Sequence, residues 1–301
     1  MKLKILVTGA SGLVGSRFIE LCSGNYDFIT PEYPEFDLTK PETVLGILSK
    51  EKPDVVIHFA AYTNVGEAEN QRGNKEGDCW RINVEGTKNL VDAVSPQTRF
   101  IHISTDMVFP GSNEAPGPYP EDAIPEENSD KVTWYGFSKG EAERIVREKF
   151  GDQTSILRLI YPFRAKYDAK PDYVRKPLSL FDEGKLYPMF TDQQVSITLV
   201  DELAKALSLI IDKNLKGVFH ASSKDTTTPF ELISYAIEKT RGVKDAVKPS
   251  SLDEFLKTAG NPVRYPKFGG LKVEKTEEAI GMKYKTWREM IDEFARQLKE
   301  L

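Results

Sequence analysis

Cysteine and histidine are scarce in this 301-residue chain, which has two cysteines and three histidines. A disulfide scaffold is therefore excluded, and so low a cysteine content suits a reducing cytoplasm, where we expect the protein to be found. The histidines are His58, His102 and His220, which each accompany an apolar strand-like run, with no metal-ligand spacing between them. We expect them to be core or strand-end residues and expect no catalytic metal.

Basic tracts and long apolar runs are lacking as well. The net charge is −5, and no cluster of Lys or Arg is long enough to suggest a nucleic-acid partner. No apolar run approaches the length of a membrane span, and Met1–Lys4 leads into a short strand rather than a signal peptide. We therefore expect neither nucleic acid nor a membrane as a partner. The hydrophobic content of 40% is ordinary for a globular protein.

Apolar strand-like runs alternate with helical stretches in the first half of the chain. Strands are predicted at Lys4–Val7, Tyr26–Ile29, Asp54–Phe59, Arg99–Ile103 and Ser155–Ile160. Helices are predicted at Leu13–Leu21, at Pro41–Lys50 after a capping box of Thr39 and Glu42, at Asn83–Val94 and at Tyr135–Phe150. Repeated βαβ units predict an α/β, Rossmann-like fold, in which a doubly wound parallel sheet binds ligands beyond its carboxyl strand ends.

The alternation weakens after residue 163, which divides the chain into two parts. We expect an NAD(P)-binding Rossmann domain over 1–163, to which a segment at about 192–221 returns, and a smaller, mainly substrate-binding part over 164–301. The later elements are predicted as helices Val200–Ile211, Pro229–Thr240 and Thr286–Leu301 and strand Gly217–Ala221. The polar segments Glu67–Asp78 and Pro110–Asp130 are predicted to be loops, either flaps near the site or plain surface loops.

A glycine turn follows the first strand. Gly9 permits a tight turn, Gly12 lets backbone N–H groups approach a pyrophosphate, and Gly15 lets the next helix pack close to the strand. The helix amino terminus then favours phosphate charge. Three glycines at this spacing also occur in plain structural turns. Their place between strand and helix predicts a nicotinamide cofactor, NADH or NADPH.

Tyr135 and Lys139 form a second motif. Residues four apart share one face of a helix. A free tyrosine, with a pKa of about 10, is a poor proton donor near neutral pH, and a neighbouring cation is expected to lower that pKa. The alternative is a surface tyrosine and a solvated lysine. Together with the glycine turn, the pair predicts hydride transfer to a carbonyl, with Tyr135 as the proton donor.

Further stretches carry a resemblance over nearly the whole chain. They are Thr8–Gly15, Asp37–Thr39, Pro53–Thr63, Asn83–Thr87, Ser104–Phe109, Tyr135–Lys139 and Asp192–Gln193. In these the chain resembles the extended short-chain dehydrogenase/reductases, and among them the sugar-nucleotide-binding reductases of the dTDP-4-dehydrorhamnose reductase family. The resemblance implies an oxidoreductase of dTDP-rhamnose biosynthesis that reduces the 4-keto group of a nucleotide-linked deoxy sugar with NADH or NADPH. A homodimer is a possible assembly.

The resemblance also implies site residues. Those for the cofactor are Gly9, Gly12, Leu13 and Val14 at the pyrophosphate, Glu32 at the adenosine ribose, Asp37 and Leu38 at the adenine, Ala60, Ala61, Tyr62 and Ser104 along the remainder, and Lys139 at the nicotinamide ribose. Those for the substrate are Thr105 at the carbonyl, Asp106 beside it, Tyr135 as general acid and Tyr161 against the sugar. Because the charge of Glu32 repels a 2′-phosphate, we expect NADH to be accepted at least as well as NADPH.

Departures from the family pattern leave the sugar and the nucleotide open. Tyr161 replaces a usual Trp, and the stretches Val195–Thr198 and Arg264–Gly269 differ from the family motifs. Met107 stands where a dehydratase needs a Glu, and epimerases typically have small residues in place of Thr105 and Asp106, which favours a reductase over a related nucleotide-sugar epimerase. A non-catalytic alternative is a binding subunit like the regulatory β subunit of methionine adenosyltransferase, which resembles the same family.

Overall fold

Apolar strands form the centre of the fold, which a computed structural model describes for residues 2–259 and 265–300. Arg264, one of the residues that depart from the family pattern, lies outside this range. The strands are β1 (Lys4–Thr8), β2 (Asp27–Ile29), β3 (Val55–His58), β4 (Arg99–Thr105), β5 (Ser155–Leu159), β6 (Pro162–Phe163), β7 (Met189–Phe190), β8 (Thr198–Leu199), β9 (Gly217–Ala221) and β10 (Pro249–Ser250).

Parallel pairing joins the main strands into one sheet. A six-stranded sheet has the order β2-β1-β3-β4-β5-β9, and two small sheets pair β10 with β7 and β6 with β8. β1 runs parallel to β2 and to β3, and β3 runs parallel to β4. Because parallel neighbours need crossover connections, this order confirms the predicted Rossmann-like fold.

Helices fill these connections. They are α1 (Gly15–Cys22), α2 (Pro41–Glu51), α3 (Val65–Asn70), α4 (Asp78–Trp80), α5 (Gly86–Ala93), α6 (Trp134–Phe150), α7 (Arg175–Asp182), α8 (Val200–Asp212), α9 (Pro229–Arg241), α10 (Leu252–Leu256), α11 (Glu274–Ile280) and α12 (Trp287–Lys299). A π-helical turn, Arg81–Glu85, connects α4 to α5. No helix in the described ranges is both long enough and apolar enough to cross a membrane.

The two faces of the sheet are both covered. On one face, Leu6 and Phe100 share a buried core with α2, α5 and α6. Successive strand residues point to opposite faces, so Ile5 and its register partner Phe28 belong to the other face. There Phe18 of α1 packs edge-on against Phe28. Helices on both faces are what a doubly wound sheet requires.

Contacts divide the chain into two compact units. The first comprises Met1–Phe109, Ile124–Arg158 and Leu207–Phe219, and the second comprises Pro110–Ala123, Leu159–Ala206 and His220–Leu301. The second unit has its own core, in which Phe163 and Phe294 meet edge to face. The division expected from the sequence, at residue 163 with a returning segment at about 192–221, stays a prediction.

Two local expectations are wrong. The capping box does not form, because the Thr39 hydroxyl donates to Asp37 Oδ1 at 2.8 Å and Lys40 takes the N-cap position of α2. The segment Glu67–Asp78 is not all loop, because α3 extends into it. Asn64 caps α3 by accepting a hydrogen bond from the Glu67 N–H, a capping signal that is readable in the sequence.

Both cysteines are buried in the first unit. Cys22 of α1 lies 3.2 Å from the Ser208 hydroxyl of α8, and Cys79 of α4 lies 3.5 Å from the Ser138 hydroxyl of α6. Burial raises the pKa of both thiols. Neither cysteine therefore resembles an activated nucleophile.

Candidate active site

The glycine turn leaves no room for a side chain at Gly9 or Gly15. Gly9 begins the turn directly after β1 with a φ of +68°, and a Cβ there would lie 2.7 Å from the Ala60 nitrogen. A Cβ on Gly15, the first residue of α1, would press on the Gly9 carbonyl oxygen. Val14 occupies the N-cap position and has no side-chain group to cap the helix. Such a cradle of bare backbone at a helix amino terminus fits a pyrophosphate.

Three further cofactor candidates, Glu32, Asp37 and Leu38, lie after β2. Glu32 is exposed, three residues beyond the end of β2. Asp37 Oδ1 accepts hydrogen bonds from the backbone and hydroxyl of Thr39. Leu38 is buried in the core beneath α2 and α5, with only 9% of its surface exposed. Their contacts with an adenosine group stay predictions.

Asn83 fixes the segment after β3. It lies in the π-helical turn and is buried; its Oδ1 accepts from the Tyr62 N–H at 2.7 Å. Its Nδ2 donates to the Tyr62 carbonyl and, at 2.9 Å, to the Ser138 hydroxyl of α6. The loop that contains Ala60 and Ala61 is thereby tied to the helix that carries Tyr135. The sequence offers only a stretch shared with the family as a signal for this residue.

Thr105 and Asp106 meet the first turn of α6. The Thr105 hydroxyl accepts a hydrogen bond from the Met107 N–H at 3.2 Å and donates one to Asp106 Oδ1 at 3.3 Å. It also lies near enough to the Tyr135 phenol to lower its pKa slightly against the effect of burial. A Cβ on Gly136 would overlap the Met107 carbonyl oxygen, so only glycine permits this approach. The structure thus brings Thr105 and Tyr135 together.

Burial controls the protonation of these groups. It raises the pKa of Asp106 to about 7. Burial, with the Asp106 carboxylate second, also raises the pKa of Tyr135 well above its ordinary value. The expectation that Lys139 lowers this pKa is wrong, because the pKa is raised, and the groups that act on it are Asp106, Cys79 and Thr105 rather than Lys139.

Lys139 lies one turn further along α6 and is 2% exposed. Its Nζ is 3.2 Å from His102 Nε2. Burial lowers the pKa of Lys139 to about 8, against an opposing effect of Glu143. Among the sequence-predicted residues, Ser104 is also buried, on β4.

A buried ion pair lies beyond Lys139. Arg158 Nε and Nη2 donate to the two carboxylate oxygens of Glu143 at 2.8 and 2.7 Å, and neither side chain is measurably exposed to solvent. Burial alone would raise the pKa of Glu143, but the guanidinium holds it below its ordinary value. Two-point pairing of this kind satisfies both buried groups.

Tyr161 belongs to the second unit and has unusual backbone geometry. It follows β5 with a φ of +40°, a left-handed conformation that is uncommon for a non-glycine residue. Its ring is stacked on Tyr173, with 3.9 Å between the ring centroids.

In the described residues, no three His, Cys, Asp or Glu side chains are grouped so as to hold a metal ion.

A family model, two related sequences and a solved structure each match nearly the whole of this chain. The family described as RmlD substrate binding domain matches residues 2–300. A dTDP-4-dehydrorhamnose reductase of Aggregatibacter actinomycetemcomitans is 26% identical over 95% of this chain and 96% of its own. A dTDP-4-keto-6-deoxy-D-glucose reductase of Streptomyces niveus is 25% identical over 91% and 90%. The dTDP-4-dehydrorhamnose reductase structure from Bacillus anthracis in complex with NADP is 27% identical, with a TM-score of 0.83, over 99% of this chain and 100% of that chain.

Proposed function

Since the chain belongs to the RmlD substrate-binding domain family, we propose that it reduces the 4-keto group of a nucleotide-linked deoxy sugar with NADH or NADPH. One observation carries this proposal: the Thr105 side chain lies near enough to the Tyr135 phenol to affect its pKa, and a buried lysine, Lys139, lies one helical turn from Tyr135. Two hydroxyls placed here would each be able to donate a hydrogen bond to a substrate carbonyl oxygen, which would stabilise the negative charge that develops there during reduction.

The cofactor would be held by the glycine turn. Gly9, Gly12, Leu13 and Val14 would contact the pyrophosphate, and Ala60 to Tyr62 the middle of the dinucleotide. When bound, NADH or NADPH supplies the hydride. Lys139 would hydrogen-bond the nicotinamide ribose.

Tyr135 would supply the proton. A raised pKa keeps the phenol protonated at neutral pH, which is the state that a general acid needs before it donates. Thr105 would hold the carbonyl oxygen against the phenol. The Asp106 carboxyl, with a pKa of about 7, would set the charge beside the phenol.

The substrate we propose is a dTDP-linked 4-keto-6-deoxy sugar. The two relatives described above are named as dTDP-4-dehydrorhamnose and dTDP-4-keto-6-deoxy-D-glucose reductases, which supports dTDP and a 4-keto group. Tyr161 would offer an aromatic face to the sugar. A cytoplasmic location and a homodimer complete the proposal.

The direct test supplies dTDP-4-keto-L-rhamnose with NADPH or NADH and analyses the products by mass and NMR. Formation of dTDP-L-rhamnose supports the proposal. Turnover only of a UDP- or GDP-linked keto-sugar would assign the chain to another sugar-nucleotide reductase, and sugar inversion without net cofactor oxidation would indicate an epimerase. No turnover of any keto-sugar would favour a binding subunit.

Glu32 sets the proposed cofactor preference. We propose that NADH is accepted at least as well as NADPH, because a carboxylate accepts a ribose 2′-hydroxyl but repels a 2′-phosphate. Comparing kcat/KM for both cofactors in wild type and Glu32→Ala tests this. The substitution should move the ratio toward NADPH. A strong NADPH preference that it leaves unchanged would refute the assignment.

A further inference from the structure

Two buried histidines lie side by side beneath the proposed site. His58 ends β3 and His102 is its register partner in β4, with 5.4 Å between the ring centroids. Neither is measurably exposed to solvent, and burial lowers the pKa of both, so each is neutral at physiological pH. The proton-transfer scheme above uses neither of them.

The hydrogen bonds of His58 define its tautomer. Thr8 Oγ1 accepts from the Ala60 N–H and lies 2.7 Å from His58 Nδ1, to which its hydroxyl is free to donate. Thr87 Oγ1 donates to the Asn83 carbonyl, so it accepts from His58 Nε2 at 3.0 Å. His58 therefore carries its proton on Nε2.

His102 has a different environment. Its Nε2 lies 3.2 Å from Lys139 Nζ, and its Nδ1 has no hydrogen-bond partner among the described residues. An ammonium only donates, so His102 Nε2 must accept from it, and the imidazole proton then lies on Nδ1. A buried donor without a partner is costly and calls for a compensating role.

We propose that His102 is a positioning residue for Lys139: its Nε2 accepts a hydrogen bond from Nζ and holds the ammonium on the buried side of α6, one turn from Tyr135. The mechanistic part of this inference rests on the proposed reductase function, in which Lys139 contacts the nicotinamide ribose. The hydrogen bond itself is a property of the protein alone.

Among the described residues, few groups around Lys139 can stabilise its ammonium, so the hydrogen bond to His102 contributes to keeping it charged. Glu143 of the same helix favours the ammonium, but its carboxylate is already paired with Arg158. The remaining neighbours that affect Lys139 or His102 are the thiol of Cys79 and the neutral ring of His58. Loss of the His102 acceptor therefore leaves the ammonium less stabilised, and the pKa of Lys139 should fall.

The first test reads the tautomers directly and needs neither cofactor nor substrate. The chain has three histidines, so a long-range ¹H–¹⁵N spectrum of ¹⁵N-histidine-labelled protein is assignable with three single substitutions. We expect His102 protonated on Nδ1 and His58 on Nε2. His102 should respond to pH near 8, as Lys139 ionises, and lose that response in Lys139→Met. An Nε2–H tautomer of His102 at pH 6.5, or a spectrum indifferent to Lys139→Met, would overturn the proposal.

The second test separates positioning from packing. His102→Phe keeps a ring but removes the acceptor. We expect its KM for the cofactor to rise about tenfold, and the alkaline limb of kcat/KM to move about one pH unit lower. His102→Gln keeps an acceptor and should recover most of both. His220→Phe is the control, because His220 is as buried as His102 but donates to the Lys272 carbonyl in the second unit.

The outcomes distinguish the two proposals. Equal losses in folded His102→Phe and His102→Gln would show that only packing matters at this position. If His102→Phe does not fold, His102→Asn replaces it, because its shorter side chain should not reach Nζ. If the wild type turns over no keto-sugar, the reductase proposal fails. The role of His102 is then still decided by the imidazole spectrum and by the dissociation constant of NADPH, which fluorescence measures.

Discussion

Desolvation is the main cause of the shifted pKa values of three residues in the first unit, Asp106, Tyr135 and Lys139. Tyr135 and Asp106 hold their protons more tightly than in water, and Lys139 holds its proton less tightly. All three shifts oppose charge, as burial requires. For a reduction this direction is useful, because the acid must be neutral before it donates.

Tyr135→Phe isolates the proton. The ring and its packing remain, so we expect kcat to fall by about 10²–10⁴-fold while the dissociation constant of NADPH changes little. Steady-state kinetics and fluorescence titration measure the two quantities. A variant that retains more than about a tenth of the wild-type activity would contradict the role of general acid.

Asp106→Asn tests the raised carboxyl pKa through stability. Between an unfolded pKa near 4 and the folded value of about 7, the folded state binds an extra proton, so the free energy of unfolding falls as pH rises through this window. Asn cannot ionise, and Asp106→Asn should become the more stable protein at pH 8, by at most about 4 kcal/mol. Urea unfolding at pH 5 and pH 8 checks this. A difference between variant and wild type that is the same at both pH values would refute it.

Helices and strands with a strong hydrophobic period have nearly the bounds that the sequence predicts. Features that depend on a single polar contact do not follow the prediction. The strand Gly217–Ala221 was predicted to the residue, and α9 and α12 differ from prediction by one or two residues. The capping box at Thr39 failed because a nearby carboxylate competes for the same hydroxyl. Such competition between local hydrogen bonds has no periodic signal.

The residues of the candidate site also fall into a group that the sequence predicts and a group that it does not. Thr105, Tyr135 and Lys139 are found from short motifs, although their roles stay predictions. The contacts of Asn83 and His102 are not found in this way, because their partners Ser138 and Lys139 lie 55 and 37 residues away and meet them only when the chain folds. A lone Asn in a helix or His in a strand gives no warning of such contacts.

The amino end of α6 permits a matched test. A Cβ on Gly136 would overlap the Met107 carbonyl oxygen, whereas a Cβ on Gly140, one turn later, meets only Pro125 at 3.5 Å. We expect Gly136→Ala to destabilise the protein and abolish activity. Gly140→Ala should be neutral or stabilise it by about 0.5–1 kcal/mol, as alanine does within a helix. Urea unfolding and activity of the two variants decide; equal effects would contradict the close approach.

The whole molecule couples ligand binding to folding, because the glycine turn exists only in the folded state. Two segments far apart in sequence, at Gly9 and Ala60, must meet to form it. A ligand that binds only this state must stabilise it by mass action.

NADPH at 100 times its dissociation constant should therefore add about 2.7 kcal/mol to the free energy of unfolding. Gly9→Ala should lose most of this gain, because its Cβ would collide with the Ala60 backbone. Denaturant unfolding with and without NADPH measures the gain in each protein. An equal gain in both would place the cofactor elsewhere.

The two buried cysteines make local opening of the first unit measurable by thiol labelling. A reagent such as dithionitrobenzoate reaches a buried sulfur only after the surrounding elements separate, so its rate reports an opening equilibrium. In Cys22→Ala protein, Cys79 alone would report how often α4 parts from Ser138 of α6. In Cys79→Ala protein, Cys22 would report the parting of α1 from α8. The labelling rates of the two variants would thus report two separate openings, one between α4 and α6 and one between α1 and α8.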